Sequence, residues 1–134
     1  KIVRLGTDVT ITAFSIMVNK ALEAAEILAA EGIDAEIIDL RTIRPLDTET
    51  VVHSVKKTNR LISCEEGFPF AGISSELAVQ MMEQAFDHLD APVMRVTGKD
   101  VPMPYAANLE KLALPQADDI VVAARQACYR NQGG

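Results

Sequence analysis

Glu65 and Glu66 are adjacent carboxylates at the point where a short apolar run, Leu61 to Cys64, gives out, and by type they are the candidates for acid–base work. Adjacent residues point different ways, and neither a partner nucleophile nor a metal ligand is apparent, so a cap or interface role accounts for them better. Arg41 and Arg44 flank a loop that could hold an anion, although pairing with acids of a neighbouring domain explains them equally well. His53 and His88 have no second histidine at ligand spacing and read as surface residues. Cys64 and Cys128 are 64 positions apart without CxxC or Cys/His spacing, which points to neither a zinc site nor a disulfide framework; reduced, buried thiols are expected. Nucleotide cradles are missing too, since no GxGxxG or GxxxxGK[ST] occurs and the first strand-to-helix turn reads Phe14-Ser15-Ile16-Met17. A phosphorelay receiver has the same layer architecture and a lysine after its last strand, as Lys99 would be. That chemistry needs paired carboxylates where this chain offers Phe14 and Ser15. Taken alone, these residues describe a soluble, non-catalytic α/β domain.

The elements that position them are organised around the strand–helix–strand unit from Ala35 to Glu66. Ala35 to Leu40 is a short β-rich run centred on Ile37 and Ile38, suited to a strand covered by helices on both faces. Pro45 keeps the following loop extended, and Asp47 is placed to cap a helix, with Leu46 and Val51 as a hydrophobic staple. Lys56, Lys57 and Arg60 gather at the end of that helix, where its dipole favours cations, and Leu61 to Cys64 is the next strand. Two short strands joined by a helical crossover are best paired in parallel.

Before this unit lie strands Ile2 to Leu5 and Val9 to Phe14, separated by the Gly6-Thr7-Asp8 turn. So short a turn fits an antiparallel start, but Val9 to Phe14 looks central, which favours two strands bending away to different positions of one sheet. Ser15 then caps a helix whose inward residues are expected to be Val18, Ala21, Leu22, Ala25, Leu28 and Ala29, with Gly32 closing it. After the unit, EEGFPFAG opens a third helix with the stripe Ile73, Leu77, Met81 and Ala85. Val93 to Thr97 is the last strand, and GKDVPMPY, from Gly98 to Tyr105, is a stiff loop. A final helix is expected from Ala117 to about Tyr129, with Ile120, Val121, Ala124 and Cys128 facing inwards, and the tail 131–134 is expected to be disordered. Five strands alternating with helices make a three-layer α/β/α domain over residues 1–130 with a five-stranded, mostly parallel sheet. Such a sheet binds ligands beyond the carboxyl ends of its strands, near Ser15, Arg41, Glu65, Glu66, Gly98 and Lys99.

With 134 residues, 49% of them hydrophobic, the chain suffices for one full core. The net charge of −6 contains no basic patch in either half; it argues against nucleic acid as a partner and is compatible with a basic protein surface. No apolar run approaches the roughly 20 residues that cross a bilayer, and no signal-peptide pattern is present, so no membrane partner is expected. Lys1 already runs into a strand pattern without an initiator methionine, so a fragment of a longer polypeptide is expected.

Two stretches, IIDLRTIRPLDTETVVHSVKKTNRLISCEEG from Ile37 to Gly67 and LDAPVMRVTGKDVPMPYAANLEKLALPQ from Leu89 to Gln116, carry a family resemblance. Together they resemble the C-terminal domain of the beta subunit of the thiamine-dependent pyruvate dehydrogenase component, within the transketolase C-terminal domain group. RTIRPLD and VKKTNRL are shared more loosely with related 2-oxoacid dehydrogenases, the branched-chain enzyme being the nearest competitor, whereas DVPMPYAANLE points to the pyruvate enzyme. The other class of reading is a free-standing α/β domain binding a small ligand at the strand ends.

The resemblance implies that the first strand lies antiparallel at an edge of the sheet and that the domain ends a longer subunit. That subunit's preceding domain and its partner alpha subunit bind thiamine diphosphate and magnesium. None of those cofactor motifs stands in this chain, so no catalytic, cofactor or metal residue is carried over. What remains is an assembly and docking module, cytoplasmic in a bacterium and in the mitochondrial matrix in a eukaryote. Its implied partners are the alpha subunit, a second beta subunit, and the small basic subunit-binding domain of the dihydrolipoyl acyltransferase. Asp90, in Leu89-Asp90-Ala91-Pro92, matches the acidic docking position of the family, and a turn-capping aspartate is the alternative.

Overall fold

The computed structural model describes residues 1–13, 17–40, 48–64, 83, 86–90, 93–96 and 116–128. The strands are β1 (Ile2–Arg4), β2 (Val9–Ala13), β3 (Ala35–Asp39), β4 (Leu61–Cys64) and β5 (Met94–Val96). The helices are α1 (Met17–Ala30), α2 (Thr48–Thr58) and α3 (Ala117–Ala127). They form one sheet in the order β1-β3-β2-β4-β5, with β2 paired in parallel to β3 and β4, β4 in parallel to β5, and β1 antiparallel to β3 at the edge. The Gly6 turn therefore sends β1 and β2 to opposite sides of β3.

Alternation along the strands divides the core into two halves. Ile11, Ile37 and Ile62 face α1 and α3, packing with Met17, Ala21, Leu28, Ile120 and Ala124. Their neighbours Ile38 and Leu61 face α2 and meet Val51, Val52 and Val55. Both faces are covered, which is why the strands read as nearly continuous apolar runs. On α1 the buried face is Met17, Ala21, Ala24, Ala25 and Leu28; Ala29, expected inside, is exposed at the edge of the stripe, and Ala24 takes an inward position instead. Gly32 ends α1 with φ +85°. Its N–H bonds the Ala29 carbonyl and the N–H of buried Ile33 bonds that of Leu28, so the chain reverses through a Schellman motif. The proposed caps Ser15 and Asp47, the Leu46 half of the staple, the Ile73–Ala85 stripe, the 98–105 loop and the tail lie outside the described residues.

The α2 face of β2 is polar rather than apolar. Thr10 Oγ1 lies 2.7 Å from both Ser54 Oγ and Thr58 Oγ1, so a fully buried hydroxyl cluster joins the helix to the central strand. Two residues on, Thr12 is also fully buried, and its Oγ1 finds no hydrogen-bond partner among the described residues. A buried hydroxyl without a partner opposes folding, whereas a methyl of the same shape does not. Thr12→Val is accordingly expected to leave stability unchanged or raise it by about 1 kcal/mol in a denaturant titration. Thr10→Val, which would take one buried hydrogen-bond partner from each of Ser54 and Thr58, is expected to lower it.

Candidate docking site at the amino ends of the strands

Because β2, β4 and β5 are parallel, the residues that precede them converge at one rim of the sheet. These are Asp8 before β2, Asn59 and Arg60 before β4, and Asp87 to Asp90 before β5, where Phe86–His88 forms a single 3-10 turn. The connection from α2 to β4 is tight. Asn59 ends the helix in the left-handed region at φ 66°, a conformation that asparagine tolerates better than most residues, and its N–H bonds the Val55 carbonyl at 2.6 Å.

That turn aims Arg60 back across the rim. Its Nε donates to the carbonyl of Ala127 near the end of α3, and its Nη1 donates to the carbonyl of Asp8, each at 3.1 Å. Its Nη2 lies 3.8 Å from Asp90 Oδ2. One guanidinium thus joins three segments that are far apart in sequence. The main chain adds two further ties, from Thr10 N–H to the Arg60 carbonyl and from Asp90 N–H to the Asn59 carbonyl, at 2.9 and 2.8 Å. Beside the guanidinium is a shallow depression of about 130 Å³ lined by Asp8, Ile33, Arg60 and Cys128.

Asp90 is at the surface, with 56% of its side chain exposed against 23% for Arg60. Its carboxylate is accessible to a partner, while Arg60 is held by carbonyl oxygens and is only partly so. The site can offer a fixed negative charge to a cation approaching from solvent. An exposed pair at 3.8 Å contributes at most about 1 kcal/mol by itself.

The other residues singled out above fall elsewhere. His53 and His88 are exposed, Cys64 is buried on β4, and Cys128 is half-buried rather than buried; neither cysteine is in a disulfide. The carboxyl-end set of Ser15, Arg41, Glu65, Glu66, Gly98 and Lys99 lies outside the described residues, as does Arg44. Among the described residues no group of three or more His, Cys, Asp or Glu side chains could hold a metal ion, and no described helix is long and apolar enough to cross a membrane. Arg60 is the residue sequence reasoning missed. Its position after α2 invited a helix-dipole explanation, and nothing in the spacing pointed to carbonyls of residues 8 and 127.

Residues 1–120 match the family described as transketolase, C-terminal domain. The chain is 62% identical over 130 residues to the rice protein named pyruvate dehydrogenase E1 component subunit beta-1, mitochondrial, which covers 97% of this chain and 35% of that one. It is 57% identical over 129 residues to the pyruvate dehydrogenase E1 component subunit beta of Rickettsia felis, covering 96% of this chain and 40% of the relative. It thus spans between a third and two fifths of the length of these two relatives. Among solved structures it is similar to a split-gene transketolase described as an inactive beta4 tetramer, with a TM-score of 0.83 and 34% identity over 96% of this chain and 42% of that chain.

Proposed function

This chain belongs to the transketolase C-terminal domain family, and from that premise we propose that it is the C-terminal assembly and docking domain of the beta subunit of a pyruvate dehydrogenase. The observation that carries this reading is 62% identity over 97% of the chain to a pyruvate dehydrogenase beta subunit. The parent complex converts pyruvate to acetyl-CoA, by thiamine-dependent decarboxylation followed by transfer of the acetyl group to a lipoyl arm. The thiamine diphosphate and magnesium that this chemistry needs belong to other parts of the assembly, and the contribution of this domain is structural. It joins the alpha subunit and a second beta subunit, and it receives the acyltransferase. Compartment follows the host, as with the rice relative, whose name places it in mitochondria.

Within this reading Asp90 is the docking contact for the basic subunit-binding domain of the acyltransferase. Its support is an exposed carboxylate on a turn whose main chain is tied to Asn59. A charge at this degree of exposure steers association and sets its salt dependence, and the contact it makes once docked adds to residence time. In the assembled dehydrogenase component, Asp90→Asn is expected to weaken binding of the subunit-binding domain several-fold at low salt, about 1 kcal/mol, and to flatten the salt dependence. Decarboxylation with an artificial electron acceptor should be unaffected. Surface binding at two salt concentrations checks this. Unchanged affinity and salt slope in a folded mutant would remove Asp90 from the interface.

A further inference from the structure

We propose that Arg60 is a positioning residue for the Asp90 carboxylate: it holds the turn before β5 in the orientation that an incoming cation meets. The inference rests on the docking role of Asp90 given above and adds how that role is prepared. The geometry has two parts. Arg60 is fixed without help from Asp90, because Nε and Nη1 are engaged by the carbonyls of Ala127 and Asp8 at 3.1 Å each. With those two bonds made, the remaining Nη2 has a defined place, 3.8 Å from Asp90 Oδ2. The residue next to it supplies the main-chain tie, the Asn59 carbonyl accepting the Asp90 N–H at 2.8 Å. Residues 59 and 60 thus restrain both the backbone and the side chain of Asp90, and the αL turn at Asn59 aims both restraints at once.

Two effects of the guanidinium oppose each other. As a cation beside Asp90 it reduces the attraction felt by a basic partner at long range, so its removal should leave association unchanged or speed it slightly. As a restraint it limits the orientations that the carboxylate must give up on binding, so its removal should speed dissociation. Ordering a side chain at an interface costs about as much as an exposed ion pair contributes or more, so the restraint dominates. The planar fork matters as well as the charge, because lysine cannot engage two carbonyls and a carboxylate in fixed directions.

The test uses the assembled dehydrogenase component and the acyltransferase subunit-binding domain as probe, with association and dissociation rates measured for wild type, Arg60→Gln, Arg60→Lys, Asp90→Asn and Arg60→Gln/Asp90→Asn. Dissociation from Arg60→Gln is expected to be roughly threefold faster or more, in the range of coupling between contacting residues, with association not slowed. Arg60→Lys, the milder change should glutamine disturb folding, is expected to resemble it. In the Asp90→Asn background the Arg60 substitution should have no further effect. An equal effect in both backgrounds would overturn the proposal while leaving the docking role of Asp90 standing, as would wild-type rates for Arg60→Lys. Wild-type rates for Asp90→Asn itself would overturn both.

Discussion

Replacing Gly6 by alanine is expected to destabilise the protein by about 3 kcal/mol or more, at or above the upper end of the usual cost of overpacking. Gly6 is buried where the chain leaves β1 and crosses the backbone of β3. A methyl group there would stand 2.3 Å from the Ala35 carbonyl carbon and 2.5 Å from both the Ala35 oxygen and the Glu36 nitrogen. All three are main-chain atoms, and they cannot step aside, because Ala35 and Glu36 are in register with Val9 and Thr10 of the central strand. The accessible escape is for β1 to lift away, which would also break the bond from Gly6 N–H to Glu36 Oε1 at 3.1 Å. Gly32→Ala is the internal comparison. That position has φ +85° but open space around it, so its cost should be only that of a left-handed alanine, about 1 to 2 kcal/mol. Denaturant midpoints of the two variants give the answer, and a Gly6→Ala no more harmful than Gly32→Ala would mean that β1 is not clamped at this crossing.

The architecture was legible because hydrophobic periodicity reports coverage. Leu61 to Cys64 has the expected bounds; Ile2 to Leu5 and Ala35 to Leu40 each end one residue earlier than their apolar runs; the strand from Val9 follows its run to Ala13, where the described residues stop; and the last strand begins at Met94 rather than Val93. Strand ends depend on where a neighbour stops pairing, and a single strand does not contain that information. The helix after Pro45 was legible from its candidate cap, staple and terminal cations, and the final helix from a stripe of isoleucine, valine and alanine. What periodicity could not deliver was the polar architecture. In β2 the pattern Val-Thr-Ile-Thr-Ala reads as one apolar and one polar face, yet the threonines are buried against Ser54 and Thr58 of α2. Glu36 lies inside an apolar run with nothing nearby to name its partner, and the cations Lys56, Lys57 and Arg60 looked like one group answering the helix dipole. In the structure Lys57 reaches back to Glu36, whereas Arg60 turns to the carbonyls of Asp8 and Ala127. Separations of 21, 52 and 67 residues link these partners, and no local rule connects residues that far apart. Asp90 stood out by its place before the last strand; the guanidinium beside it did not.

Removing the ammonium of Lys57 should both cost stability and reverse the way stability responds to acid. Glu36 is 1% exposed, and its Oε1 takes a proton donor from Lys57 Nζ at 2.5 Å and another from Gly6 N–H at 3.1 Å. Burial alone would push its carboxyl up, but hydrogen bonds from Lys57, Ser54 and Gly6 outweigh that, and the group is held below its ordinary value of 4.5. A carboxylate whose folded value is depressed stabilises the protein fully above the unfolded value and loses that contribution as pH falls through the folded one. The wild type should therefore lose this contribution only below about pH 4.5. In Lys57→Met the burial penalty remains while the strongest compensating charge is gone, so the carboxyl should move above its ordinary value, and the variant should gain stability relative to wild type as pH falls from neutral. Its loss at pH 7 should be about 3 kcal/mol, the low end for an orphaned buried charge, because the lysine side of the pair is 40% exposed and water can partly replace it. Glu36→Gln should be milder, about 1 to 2 kcal/mol, since the amide oxygen still accepts from Gly6 and the released ammonium can turn to solvent. Unfolding free energies measured from pH 7 to pH 4 separate the cases. A Lys57→Met variant with the wild-type acid profile, or one more stable at neutral pH than Glu36→Gln, would show that the ammonium is not what keeps Glu36 ionised and β1 pinned through Gly6.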